Sequence, residues 1–378
     1  MICHLPLVKT LGGAKVYIEA ATCYELLGHH VKLVGINEIV PEGMPYLDEG
    51  WRVENFPSYL ESYILENADR FDVVEYESIY LPLRVESQAV LVARSVLLDL
   101  HQREIKIPSF SGLRSLLGRI KYGKERKEKL ERKIASSMET IRNSDLVNIP
   151  NPDDRDILIR NGVACDKIII QPYGIFKNSR DKNSQYQNSK KEDIVAFVGT
   201  FDNRKGAVEF PKIVQLLIRK SPSIRFKLLG VIGMFQTAER IIRHIGIKFE
   251  EQLEIVEKFS PEELGTLLKD CKVGVFPSHL ESFGFGVLEM MSMGIPVVAY
   301  DCPGVNQLVP QELLVSRGDV SLIVEKLDKL LSNEDFYNQM LQEVREKVEF
   351  FTYENRVDNT IENYRRLSLL KRANKSLR

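Results

Sequence analysis

Residues 273–305, VGVFPSHLESFGFGVLEMMSMGIPVVAYDCPGV, constrain the fold more than any other part of the chain. The apolar run at 273–276 is short enough for a buried strand, and Pro277 and Ser278 stop it. A loop rich in Gly and Phe follows and carries Glu281. Residues 287–293 are apolar enough for a buried helix, and Gly294 stands where a helix stop is expected. Residues 296–300 form the next buried strand. Glu289 lies inside the apolar helix, where a carboxylate is costly unless it meets a partner. Two carboxylates therefore flank a glycine-rich loop at a helix N-terminus, a place suited to a ligand carrying hydroxyls and phosphates.

The same alternation runs through the rest of the chain. Residues 2–8 read as a first strand, 11–14 as a tight loop, 16–27 as a helix ended by Gly28, and 31–36 as a second strand. Such a unit implies a parallel sheet. Further strands are expected at 72–76, 90–94, 146–149 and 168–171, with helices around 58–67 and 113–142. Residues 177–192, KNSRDKNSQYQNSKKE, are almost free of apolar side chains and read as a mobile linker. Strands are expected again at 194–198, 226–230 and 253–256, and helices at 205–219, 237–244 and 320–331. Ser260, Pro261 and Glu263 open a further helix as a capping box. The expected fold is α/β, with two doubly wound domains and helices at the C-terminal end. The domains span 1–172 and 173–350, and 351–378 packs back on the first. In such sheets ligands bind at the carboxyl ends of the strands.

Composition removes several classes. Acidic and basic residues number 53 and 52, so bulk charge gives no argument for nucleic acid. The most apolar run, 89–98, is broken by Arg94 and is too short to span a bilayer. The N-terminal residues lack the order of a signal peptide. Five scattered cysteines, without a CxxC pair, fit a reducing cytoplasm and argue against a disulfide frame or a zinc site.

The run FPSHLESFGFGVLEMMSMGIPVVAYDCPG closely resembles the signature of family 4 retaining glycosyltransferases, which have the GT-B fold of two facing Rossmann-like domains. Three other stretches extend the resemblance: GGAKVYIEAATCYELLGHHVKLV, DLVNIPNPDDRDILIRNGVACDKIIIQPYGI and IVAFVGTFDNRKGAVEF. It implies that Glu281 contacts the hydroxyls of a donor sugar. The backbone N–H groups of Phe283, Gly284, Phe285, Gly286 and Val287 would meet sugar and diphosphate, after Gly199 at the end of the preceding strand. Glu289 would accept from the ribose. Lys205, before Gly206, would stabilise the leaving diphosphate with Arg204 beside it. Carboxylates are strong acceptors for vicinal hydroxyls, and cations suit a leaving diphosphate. Two positions depart from the pattern. Thr200 stands where the family usually has an Arg, and Val96 aligns with its usual His.

Other residues are weaker candidates. Gly12 and Gly13 permit close backbone approach to a ligand but do not make a dinucleotide fingerprint. Arg94, His101 and His279 are acceptor or cleft candidates, with His101 more readily read as structural. His29 and His30 follow a helix stop. Asp154-Arg155-Asp156 opens a helix, where acids suit the dipole, so no metal site is expected. The run RIKYGKERKEKLERK, from Arg119 at its start to Lys133 at its end, reads first as a solvated face with i,i+4 pairs and second as a peripheral membrane contact.

The resulting expectation is a metal-independent retaining hexosyltransferase without a cofactor. It would move a sugar from a UDP-, GDP- or ADP-linked donor to a saccharide or lipid-linked acceptor, in cell-surface polysaccharide or glycoconjugate synthesis. It would work in the cytoplasm or at the inner face of the membrane, without a nucleic-acid partner. The alternatives are a non-catalytic sugar-nucleotide-binding protein of the same fold and a sugar-nucleotide epimerase.

Overall fold

The structure is a computed structural model that describes residues 1–9, 11–109, 113–186, 189–355 and 358–376; the side chains of 113–122, 184, 355, 358 and 374–376 lie outside that description. The chain divides into two compact units. The first comprises Met1–His101, Leu113–Tyr173 and Tyr353–Arg378, and the second Gln102–Gly112 and Gly174–Thr352.

In the first unit, strands β1 (Val73–Glu77), β2 (Val90–Arg94), β3 (Leu146–Ile149) and β4 (Ile168–Ile170) form a parallel sheet in that order. Helices α1 (Gly12–Leu26), α2 (Glu49–Asn67), α3 (Leu113–Asn143) and α4 (Pro152–Arg160) alternate with it. The strands are largely buried on both faces, and Glu75, Glu77, Arg94 and Asn148 are the polar residues within their otherwise mostly apolar runs. Phe56, Leu60 and Ile64 of α2 and Ile134, Met138 and Ile141 of α3 belong to the core that also holds Leu91, Ala93 and Val147.

The two strands expected at 2–8 and 31–36 are reduced to parallel bridges from Ile2 to Val34 and Tyr76. Pro6 has no N–H for a ladder, and its carbonyl accepts from Val8 N at 2.8 Å, so the chain turns away. After Val34 the backbone enters a short 3-10 turn at Ile36–Glu38, where Glu38 Oε1 accepts from Gly35 N at 2.9 Å. Helix α2 starts nine residues earlier than the expected 58, because Asp48 caps it by accepting from Trp51 N at 2.7 Å.

In the second unit, β5 (Glu192–Val198), β6 (Arg225–Leu229), β7 (Leu253–Val256), β8 (Cys271–Phe276), β9 (Val297–Tyr300) and β10 (Leu314–Val315) form a parallel sheet in the order β10-β9-β8-β5-β6-β7. Its helices are α5 (Lys177–Ser184), α6 (Phe210–Lys220), α7 (Ala238–Ile245), α8 (Leu264–Leu268), α9 (Phe285–Ser292), α10 (Val320–Ser332) and α11 (Glu334–Phe350). Phe197, Phe201, Phe210, Phe226 and Phe276 pack ring against ring in its core, at centroid separations of 5.3 to 6.3 Å.

Several features of this unit differ from the expectation. The stretch read as a linker begins with helix α5, anchored where Asn183 Nδ2 donates to Ser292 Oγ at 2.8 Å and Arg180 pairs with Glu349. A helix with few apolar residues is held by such polar ties, which apolar patterning does not reveal. Strand β10 is only two residues long, too short to show a period. Helix α6 begins at Phe210 instead of 205, because residues 202–209 are turns and Gly206 has φ +84°. At the capping box, Ser260 N donates to Glu263 Oε2 at 2.7 Å, but the regular helix begins only at Leu264.

The last helix, α12 (Asp358–Ser376), belongs to the first unit. Asn148 Nδ2 of β3 donates to Tyr364 OH at 2.9 Å and to Gln171 Oε1 at 2.6 Å. Arg94 continues this network. Its Nε donates to Glu75 Oε2 at 2.6 Å and its Nη2 reaches Tyr24 OH and Gln171 Oε1 at 3.1 and 3.2 Å. Arg94 is thus 1% exposed, with its Nε and Nη2 taken up by partners of its own unit, where the sequence had suggested a side chain facing a cleft. Losing it strands the Glu75 carboxylate. Arg94→Met is expected to cost about 3–5 kcal/mol in urea unfolding, with part recovered in Glu75→Leu/Arg94→Met.

Candidate functional site

The strand order of the second unit decides where a site forms. The chain builds β5, β6 and β7 outward on one side and then returns to lay β8, β9 and β10 on the other. The connections leaving β5 and β8 therefore part in opposite directions, and the crevice between them lies at the carboxyl ends of the strands. Gly199, Arg204 and Lys205 follow β5, while Ser278, His279 and Glu281 follow β8.

The two loops meet closely. A Cβ on Gly206 would lie 2.3 Å from the Pro277 carbonyl oxygen, and one on Gly286 would lie 2.5 Å from the Val198 oxygen. Only glycine permits both approaches, at the turn beside Lys205 and in the first turn of α9. The turn at 202–206 is built by Asp202, whose Oδ1 accepts from Lys205 N at 3.0 Å and whose Oδ2 accepts from Thr200 Oγ1 at 2.9 Å. Gly199, at φ +139°, leaves room for the Lys205 side chain, whose Cδ would lie 3.3 Å from a Cβ there.

This brings the principal sequence candidates together. Glu281 Oε1 accepts from Lys205 Nζ at 2.7 Å, Arg204 Nη1 at 2.8 Å and Ser278 Oγ at 2.7 Å. Arg204 Nη1 also donates to the Leu280 carbonyl at 2.7 Å. Lys205 Nζ sits 4.9 Å from the centre of the Phe276 ring. Burial would raise the Glu281 carboxyl. The charges of Arg204 and Lys205 and hydrogen bonds from Lys205 and Ser278 outweigh it and hold the group down at about 2. Burial likewise works against the Arg204 charge, and Glu281 and Asp202 more than offset it. Two cations, Arg204 and Lys205, are thus balanced by two carboxylates, Glu281 between them and Asp202 in the turn beside them.

The remaining candidates fall in different places. Phe283 is fully buried, packing on Phe285 and Phe351 at 5.2 and 5.8 Å. Gly284 caps α9 in the left-handed region, and the Val287 N–H donates to the Gly284 carbonyl at 2.9 Å, so it is committed to the helix. Glu289 is half-buried on α9, less enclosed than its apolar neighbours suggested. His279 is 3% exposed; its Nε2 lies 2.8 Å from Glu209 Oε1 and its N–H donates to the Arg204 carbonyl at 2.8 Å, so it braces the cation loop. In the first unit, Gly12 and Gly13 open α1. His101 Nε2 lies 2.7 Å from Asp154 Oδ1 with both side chains buried, a structural tie at the start of α4. Val96 is partly buried against Cys3, Ala14 and Tyr17.

Ser278, Asp202 and Glu209 were not singled out from sequence. Ser278 stands three residues before Glu281, and Asp202 begins an Asp-Asn-Arg-Lys-Gly turn, so both had a local signal. Glu209 meets His279 only through the fold. No group of three or more His, Cys, Asp or Glu side chains placed to hold a metal ion occurs among the described residues.

The Glu281 pairing ties stability to pH. Its carboxyl falls from an ordinary 4.5 to about 2 on folding, so the pairing stabilises the fold fully above about pH 5. That stabilisation, on the order of 3 kcal/mol, is lost as pH falls from 4.5 toward 2. The stability difference between the wild type and Glu281→Gln in urea melts is expected to be flat above pH 5 and to narrow below it.

Residues 178–347, which hold the whole cluster, match the family model of glycosyl transferases group 1. A capsular polysaccharide biosynthesis glycosyltransferase, CapM, of Staphylococcus aureus is 26% identical over 261 residues, 66% of this chain and 66% of that one. The chain spans 42% to 66% of the length of the first curated relatives it matches. Sucrose-phosphate synthase from Thermosynechococcus elongatus superposes with a TM-score of 0.64 at 16% identity, over 95% of this chain and 92% of that one. A S. aureus TarM variant in complex with fondaparinux, alpha-GlcNAc-glycerol and UDP superposes with a TM-score of 0.54 at 16% identity, over 73% of this chain and 51% of that one. The chain has the GT-B fold, and the Glu281 cluster lies in the part that matches glycosyl transferases group 1.

Proposed function

We propose that this chain is a retaining glycosyltransferase that binds its nucleotide-sugar donor in the second unit and transfers the sugar to a saccharide or lipid-linked acceptor. The observation that carries the reading is the convergence of Lys205 and Arg204 on one Glu281 oxygen, at the carboxyl ends of β5 and β8. Fixed cations stabilise charge that appears on a leaving group more effectively than water, because they need no reorganisation. Lys205 and Arg204 take the departing diphosphate, Glu281 orients the sugar hydroxyls, and Glu289 accepts from the ribose. The anomeric carbon–oxygen bond breaks and its electron pair leaves with the diphosphate. The acceptor oxygen bonds to the anomeric carbon, and its proton passes to the departing phosphate oxygen. The UDP held by the TarM variant and the name of CapM support a nucleotide sugar and a polysaccharide acceptor. The reading includes action in the cytoplasm, without a metal and without a cofactor.

A panel of UDP-, GDP- and ADP-sugars tests it. One donor is expected to raise the melting temperature and to be hydrolysed slowly, with hydrolysis lost in Glu281→Ala. Lys205→Ala is expected to lower kcat by about 100- to 1,000-fold, the range for removal of one charge-stabilising group. EDTA is expected to leave turnover unchanged; turnover abolished by chelation would contradict the fixed-cation reading.

A second reading, a non-catalytic sugar-nucleotide-binding protein, is favoured by Thr200, whose hydroxyl is spent on Asp202 where the family resemblance has a cation. Stabilisation by a nucleotide sugar without turnover on any acceptor would select it. Membrane contact through α3 is a further part of the proposal. Lys133 is not available for it, being paired with Glu49 and Asp99 at 2.7 and 2.8 Å; the side chains of residues 119–122 in that run lie outside the described ones. Cosedimentation with anionic vesicles but not with neutral ones would support the contact.

A further inference from the structure

Arg204 reaches Glu281 across the seam between two loops. Its main chain belongs to the turn after β5. The groups that its Nη1 holds, the Leu280 carbonyl at 2.7 Å and Glu281 Oε1 at 2.8 Å, belong to the loop after β8. The side chain is long, flexible and 28% exposed, so packing alone does not fix it. A slip of one loop past the other breaks both contacts, because hydrogen bonds weaken steeply as distance and angle depart from ideal. Lys205 is more enclosed, at 14%, and its Nζ also lies over the Phe276 ring.

His279 bridges the seam from behind. Its main-chain N–H donates to the Arg204 carbonyl at 2.8 Å, and its Nε2 lies 2.8 Å from Oε1 of Glu209, 70 residues away in sequence. A carboxylate only accepts, so Nε2 carries the proton. Glu209 in turn belongs to the β5 side. Its N–H donates to the Gly206 carbonyl at 3.1 Å, and it directly precedes α6. The imidazole is 3% exposed and packs on the Tyr300 ring at 5.2 Å. His279 is therefore anchored through its ring, and the N–H that meets Arg204 is held with it.

The pair is a poor choice for stability. Glu209 is 12% exposed, and its Oε2 is buried without a hydrogen-bond partner. A carboxylate so placed is costly, and apolar side chains of similar size would fill the space at less cost. What the pair supplies is a fixed distance between the two loops.

We propose that His279 and Glu209 are positioning residues that hold Arg204 on Glu281, and through it set how well the charge of the leaving diphosphate is stabilised. Neither residue needs to touch a donor, since both act through Arg204. The effect on the leaving group rests on the glycosyltransferase reading; the hold on Arg204 does not. A cation misplaced by about 1 Å forfeits up to about 100-fold in rate.

Two readouts on the full chain test this. The first needs no donor: ¹⁵N NMR of the arginine side chains reads how freely the Arg204 guanidinium turns. Its rotation is expected to be slow in the wild type and faster in His279→Ala. It is expected to be slow again in His279→Gln, whose amide N–H reaches the place of Nε2. Arg94 of the first unit is expected to stay unchanged, as an internal reference. Glu209→Ala breaks the same tie from the other side and serves if His279→Ala does not fold. An unchanged Arg204 signal in the folded variant overturns the proposal, whether or not the chain turns over a nucleotide sugar. The second readout is kinetic, with a donor that the wild type turns over. His279→Ala is expected to lower kcat about 10- to 100-fold with KM within about twofold, and His279→Gln to recover most of the loss. Added to Arg204→Ala, it is expected to have little further effect, because it acts through that side chain. A rise in KM alone, or a loss that multiplies with that of Arg204→Ala, overturns the proposal. Absence of turnover by the wild type on every donor sinks the glycosyltransferase reading, and the NMR result then decides the hold on Arg204.

Discussion

The reversal of strand order in each parallel sheet is the constraint on which the rest depends. A parallel sheet grown outward from its first strand must return to that strand before it can grow the other way. The two connections that part at the return cannot cover the strand ends between them. In the second unit the opening falls between β5 and β8, and in the first between the Ile2 segment and β1. The opening in the second unit collects charged groups that a closed core would exclude.

In the second unit these groups are matched. One oxygen of Glu281 takes three donors, and two of them are cations. An unpaired carboxylate at 8% exposure would be expensive, so the cations make Glu281 tolerable and Glu281 holds the cations in place. The arrangement is preorganised, with both cations held by Glu281 and the turn between them built by Asp202. The two glycine contacts, Gly206 on Pro277 and Gly286 on Val198, set the spacing on which these bond lengths depend. His279 adds a brace from behind by holding the Arg204 carbonyl while its ring is tied to Glu209.

Much of this was legible. The strands β2 and β3 lie where apolar runs placed them, since a strand buried on both faces is written as a largely apolar run, and β7, a half-buried edge strand, lies at its expected place as well. The neighbourhood of Glu281 and Glu289 was legible because strand, glycine loop, helix and strand occur without interruption. Arg94 was misjudged because position at a strand end does not say whether a side chain meets a ligand or a neighbouring strand. Glu75, two residues from the end of β1, decides that by pairing with it. Helix α5 was missed for the opposite reason, since its few tertiary ties are polar and leave no apolar period.

By itself the sequence determined the class of fold and which residue types flank the glycine-rich loop. Apolar runs, glycine stops and cap residues act over a few positions, and local rules read them. Only the tertiary structure decided which charges meet. Lys205 and Glu281 are 76 residues apart, as are the loops that carry them, and their 2.7 Å contact follows from the neighbouring of β5 and β8. His279 and Glu209, 70 residues apart, carry no motif, and they meet only because β8 returns beside β5. A pairing across a sheet is a property of strand order, and no local spacing in a chain encodes it.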